Sequence, residues 1–203
     1  MSNKPSKAGW LKTLHTWHWI SSAICLIGLL LFALTGITLN HASWIEVNPR
    51  VVQRQAQLPA DLLASLKSGD KHATLPEQHR AWLANALKSP VSNGSAEWSD
   101  EEIYLPMPRP GGDAWLRIDR ESGAVEFEDS DRGWIAYLND LHKGRNAGMA
   151  WSWFLDLFAV ACLLFSITGL LILKYHASNR PNTWPLVGLG LVLPALIALL
   201  LIH

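Results

Sequence analysis

Three runs of the chain are almost wholly apolar: Ile20–Leu39, Trp151–Leu173 and Trp184–Ile202. Each reaches the roughly 20 residues that a helix needs to cross hydrocarbon. In lipid the backbone must satisfy its own hydrogen bonds, so each run is expected as a helix. The stretch between the first two, residues 42–140, has other periodicities. "PADLLASL" and "PEQHRAWLANAL" open on Pro and carry apolar residues at helical spacing. "EIYLPMP", "AWLRID" and "AVEFED" alternate like half-buried strands. "RPGGD" joins the first two of these, "DRESG" is a turn between the last two, and "VSNGSAEWSDEE" reads as a loop.

Charge sharpens the division. The formal net charge is zero, which gives no electrostatic case for nucleic acid or an acidic partner. Yet 16 of the 17 acidic residues lie between Glu46 and Asp140, and only Asp156 lies elsewhere. Tryptophans mark the edges of the apolar runs (Trp10, Trp17, Trp19, Trp44, Trp151, Trp153, Trp184), as an aromatic belt requires. Lys4, Lys7 and Lys12 precede the first run, and Lys174 and Arg180 lie between the second and third, so both flanks are expected in the cytoplasm. The long middle segment is then expected outside, in the periplasm of a Gram-negative cell. The first run is long for a signal peptide and "LTGITLNHASW" offers no small-x-small site, so an uncleaved span is expected.

The pattern therefore predicts an α-helical membrane protein, with three transmembrane helices and a small α/β extracytoplasmic domain between helices 1 and 2. The expected parts are residues 1–41 (cytoplasmic N-terminus and helix 1), 42–140 (the outer domain), 141–176 (helix 2 with its lead-in) and 177–203 (the short link and helix 3).

The candidate chemistry lies in histidines at the mouths of the spans. His15 and His18 precede helix 1, His176 ends helix 2, His41 follows helix 1, and His142 in "LNDLHKGR" precedes helix 2. Topology sorts them into an outer pair, His41 and His142, and an inner trio. Bis-imidazole ligation of b-type haem needs two such rings from facing helices at one depth. Gly28, Gly36 and Gly169 would give room for a flat macrocycle. Any single interfacial histidine is also tolerated as an amphipathic side chain, so the arrangement carries the case and no one residue does. Cys25 and Cys162 fall within spans as small hydrophobes, and no C-x-x-C-H exists for c-type haem.

Two further features stand out. "FALTGITL" and "FSITGLLIL" share F-x-x-T-G, which permits close helix packing. Asp156, the sole acidic residue in a span, is expected either beside a ligating histidine, accepting its Nδ1–H, or at the interface near water or Arg145. His72 and His79 read as surface histidines, and His203 as a frayed terminus. No G-x-G-x-x-G or P-loop is present, so no nucleotide site is visible.

"LHTWHW", "LTGITLNH", "LNDLHKGR" and "WFLDLFAV…SITGLLIL" together resemble the PepSY-associated transmembrane helix family in a short three-span form. "LRIDRESGAVEFE" is similar to its strand-turn-strand unit, while Val51–Trp98 matches nothing in it. The resemblance extends to inner-membrane siderophore-iron reductases. It implies a haem b protein (one or two haems) of the bacterial inner membrane that reduces a ferric siderophore or another ferric chelate in the periplasm, a ferric-chelate reductase-type oxidoreductase. Electrons would come from a cytoplasmic flavin donor or quinol. His15, His41 and His142 match the family's histidine positions, and His18 and His176 are further candidates. With only three spans, a second complete site needs His176 or a neighbouring subunit in a homo-oligomer. His18 and His41 would be roughly 35 Å apart at about 1.5 Å per residue, so direct transfer between haems at both ends would be slow. The alternatives are a non-enzymatic anchored sensor or inhibitor, and a haem subunit of a larger quinone-linked complex.

Overall fold

In a computed structural model of the chain, residues 7–46, 48–68 and 74–202 are described. His72 and His203, both considered above, lie outside them. The chain divides into two compact units, Met1–Leu31 with Phe154–His203, and Phe32–Trp153.

Three helices are long and apolar enough to cross a membrane: α1 (Lys7–Asn40), α5 (Gly148–His176) and α6 (Thr183–Leu201). The protein is a membrane protein. In the first unit α1 and α5 meet at Gly28, where the Phe158 ring occupies the space a Cβ would need. Cys25 is fully buried beneath the same contact surface and faces Cys162. Both cysteines are free, as expected. α6 buries no residue, and Pro194 lies within it. Its mean composition is apolar all round, the mark of a helix whose solvent is lipid.

The second unit contains a five-stranded antiparallel sheet, ordered β1-β5-β4-β3-β2. The strands are β1 (Arg50–Gln57), β2 (Glu97–Trp98), β3 (Glu102–Pro106), β4 (Gly112–Asp119) and β5 (Ala124–Asp131). Between β1 and β2 lie α2 (Ala60–Ser68) and α3 (Glu77–Leu87), the two helices expected from the Pro-led segments. β4 alternates buried and open positions along its length, so one face carries Ala114, Leu116 and Ile118 into the core. Leu66, Leu83 and Leu87 from α2 and α3 close that core. Each such leucine contributes about 1.5–3 kcal/mol by leaving water.

Three features depart from the expectations. β1 is a strand where no strand was expected, because its inward positions Val52, Arg54 and Ala56 lack an apolar stripe. Arg54 points inward to cap a helix: its guanidinium donates to the Leu87 and Lys88 carbonyls at the end of α3. A cation suits that end of the helix dipole. "EW" (Glu97–Trp98) leaves the expected loop to pair as β2. His79 is a core residue, not a surface one, with 1% of its area exposed. Its Nε2–H donates to the Leu62 carbonyl (3.1 Å) beside the Ser65 hydroxyl (3.0 Å).

A further helix, α4 (Gly133–Lys143), precedes α5 and carries His142 in its last turn. Asp131 caps its start by accepting from the Gly133 N–H (2.7 Å), and Gly144 ends it in a left-handed conformation. The buried Asp140 carboxylate accepts from the Gly111 N–H (2.9 Å) and from Arg132 (3.0 Å). Gly111 has φ +70°, and a Cβ there would lie 2.7 Å from the Tyr137 Cα, so only glycine lets the β3–β4 turn reach α4.

Candidate functional site

Each F-x-x-T-G segment receives a histidine. In the first unit the motif on α5 (Phe165, Thr168, Gly169) meets His18 from α1. The Phe165 ring stacks on the imidazole, with centroids 4.8 Å apart and planes 13° apart. His18 Nδ1 lies 3.0 Å from the Thr168 hydroxyl and 3.2 Å from the Phe165 carbonyl. A methyl at Gly169 would sit 3.2 Å from His18 Cε1.

The second unit repeats the arrangement with the motif on α1 (Phe32, Thr35, Gly36) and His142 from α4. Phe32 packs on the ring at 4.8 Å, and the Thr35 hydroxyl lies 2.6 Å from His142 Nδ1. A methyl at Gly36 would lie 3.7 Å from His142 Cε1. The glycines thus admit imidazole rings at Gly36 and Gly169 and a phenyl ring at Gly28; they do not hold open a slot for a macrocycle.

The other candidates bond locally. His41 donates from Nδ1 to the Ile37 carbonyl (2.9 Å) and packs against Trp44. His176 donates from Nδ1 to the Ile172 carbonyl (2.9 Å). Its ring lies 6.0 Å from that of His15, centroid to centroid, at 73°. With metal–nitrogen bonds of about 2.0–2.1 Å, two imidazoles facing one ion place their ring centres roughly 6 Å apart. Asp156 is exposed and forms no hydrogen bond or ion pair among the described residues.

One regularity links these contacts. A backbone carbonyl can only accept, so a ring nitrogen held against one must carry the hydrogen. That places the proton of His18, His41 and His176 on Nδ1. In each of these, and in His142, Nε2 has no protein partner among the described residues. A neutral imidazole binds a metal through such a bare nitrogen, its orientation set by the hydrogen bond on the other side. His79 is the contrast, with its proton on Nε2 and its Nδ1 buried without a partner. The donor set therefore fits a haem iron in chemistry.

A family model matches residues 9–203, nearly the whole chain. The chain belongs to the PepSY_TM-like family. Comparison with curated proteins found no match, and neither did comparison with solved structures. The five-stranded sheet with α2 and α3 is the PepSY-like α/β domain of this PepSY_TM-like protein, set between its first and second membrane helices. Among its described residues no group of three or more His, Cys, Asp or Glu gathers as a metal site. Haem ligation by paired imidazoles needs no such group. The phenylalanines and threonines of the cradle were not candidates on sequence grounds. Their signal was the F-x-x-T-G repeat, read there as helix packing.

Proposed function

We propose that the protein is a haem b carrier of the bacterial inner membrane that passes electrons outward to a ferric siderophore or another ferric chelate. The N-terminus would lie in the cytoplasm and the PepSY-like domain in the periplasm, with a flavin or quinol as donor. The observation that carries this reading is the set of imidazoles whose Nδ1 is engaged and whose Nε2 is bare. Two of His15, His18 and His176 would hold one iron, and His41 and His142 would hold another. Bound haem would supply a one-electron Fe(III)/Fe(II) couple. The protein's part is to fix the rings, hold their protons away from the ligating nitrogen and surround them with apolar side chains.

Purified protein, supplied with haem during expression, is expected to show Soret and α bands that change on reduction. His18→Ala and His142→Ala should each lower haem content. Absence of reducible bands in the folded protein overturns the reading. The open sheet face favours a second one, an anchored binding domain. There Tyr104 and Trp115 stack with centroids 6.2 Å apart, beside Gln53, Gln55, Glu126 and Glu128. On that reading His18→Ala and His142→Ala leave function intact.

A further inference from the structure

We propose that each F-x-x-T-G segment is a receptor for one histidine of a neighbouring helix, and that its threonine dictates which ring nitrogen carries the proton. The argument is clearest at His18. The Thr168 hydroxyl has one hydrogen, and its oxygen lies 2.6 Å from the Leu164 carbonyl oxygen, an acceptor on its own helix. With that hydrogen committed, Thr168 can offer His18 only a lone pair. The Phe165 carbonyl, 3.2 Å from the same Nδ1, is a second acceptor. Two acceptors on one nitrogen require that nitrogen to be the donor.

At His142 the threonine, phenylalanine and glycine recur, with the ring planes 39° apart and the threonine hydroxyl as the one hydrogen-bond partner of Nδ1 among the described residues. The Thr35 hydroxyl has the Phe32 carbonyl at 3.1 Å for its hydrogen and faces His142 Nδ1 at 2.6 Å. Phenylalanine packs on the ring, glycine admits it and threonine orders its proton. A histidine side chain free in water prefers the opposite tautomer, with the proton on Nε2, so the cradle inverts an intrinsic preference. Threonine also suits this place: its hydroxyl back-bonds within an apolar helix and leaves no unsatisfied hydrogen.

Thr35 and Thr168 are thus positioning residues that act through His142 and His18. That the freed Nε2 is aimed at haem iron rests on the function proposed above; the tautomer assignment does not. The experiment is therefore done first without haem. Full-length protein with 15N-labelled histidine is prepared haem-free in detergent at pH 9, above the ordinary imidazole range. Long-range 15N–1H spectra report the tautomer of each ring, with His18→Gln and His142→Gln giving the assignments. Both rings are expected to carry the proton on Nδ1. Thr168→Val should release only His18 and Thr35→Val only His142, while Thr168→Ser and Thr35→Ser keep the wild-type pattern. Should a valine variant fail to fold, the wild-type and serine spectra still decide.

Either ring carrying its proton on Nε2 in the wild type overturns the proposal, and so does a folded valine variant with an unchanged spectrum. Haem titration then separates the two readings. Outer hydrogen-bond partners are worth about 10–100-fold in metal affinity, and each valine variant should lose that much haem affinity. An Nδ1–H pattern with no haem binding keeps the cradle and removes the electron-carrier reading. Haem binding with the opposite tautomer removes the cradle alone.

Discussion

Asp140→Ala tests how firmly α4 is fastened to the β3–β4 turn. Only 7% of the Asp140 side chain is exposed, and it holds both the Gly111 N–H and the Arg132 guanidinium. A hydrogen bond from a peptide N–H to a buried charge is worth about 1.5–3 kcal/mol. The Arg132 side chain is 34% exposed, so its pairing is screened. It adds about 0.5–1 kcal/mol. The loss is therefore about 2–4 kcal/mol of local stability. That corresponds to amide exchange in α4 and in the turn around Gly111 that is roughly 30- to 700-fold faster when opening is local. Hydrogen exchange with mass spectrometry on the full chain in detergent reads both segments. Peptides of α3 should be unchanged. Asp140→Asn, which keeps an acceptor for Gly111 but no charge, should fall between the wild type and the alanine variant. Exchange in Asp140→Ala within threefold of the wild type at both segments would refute the reasoning.

Gly111→Ala should unfold the same junction, since its methyl meets the Tyr137 backbone at φ +70°, whereas Gly148→Ala, at φ +79° in open space, should cost only about 1 kcal/mol; thermal melts compare them. Gly28→Ala should destabilise the α1–α5 contact by about 1–3 kcal/mol through overpacking against Phe158, with partial rescue by Phe158→Leu in a detergent-resistance assay. The Ser122 N–H and hydroxyl, followed by the Glu121 N–H, hold the Asp119 carboxyl below its ordinary value of 3.8. A lowered acid contributes stability above its unfolded pKa and loses it as pH falls through the folded value, so the β4–β5 turn should loosen only below about pH 4 and Asp119→Asn should abolish that dependence in an NMR titration. Burial, then Asp113 and Glu97, push the Tyr104 phenol above 10.0, and Asp113→Asn should bring its ultraviolet titration back towards that value.

Much of the architecture was legible in the chain. The three apolar runs needed only length and hydrocarbon thickness, and strands β3, β4 and β5 announced themselves by alternation. β1 was hidden because Arg54 spends an inward position on capping α3. α4 was hidden by the glycine at its start, although Trp134, Tyr137, Leu138 and Leu141 keep a helical spacing. The histidines were legible as a set, since position along a span gives depth. Their partners were not, because depth says nothing about rotation about the helix axis. That rotation turns His142 towards Thr35 and Phe32, and His18 towards Thr168 and Phe165. His79 shows the same limit in soluble surroundings: its neighbours Ser65 and Leu62 come from a helix that the spacing of α3 alone does not orient.

Within one turn of α4, three side chains hold three different things. Asn139 accepts from the Thr38 hydroxyl (2.6 Å), Asp140 clasps the turn at Gly111, and His142 rests on Thr35. A rigid helical turn cannot yield at one of these grips without shifting the other two. The last turn of α4 therefore joins the hairpin loop before β4 to the imidazole through one short piece of backbone.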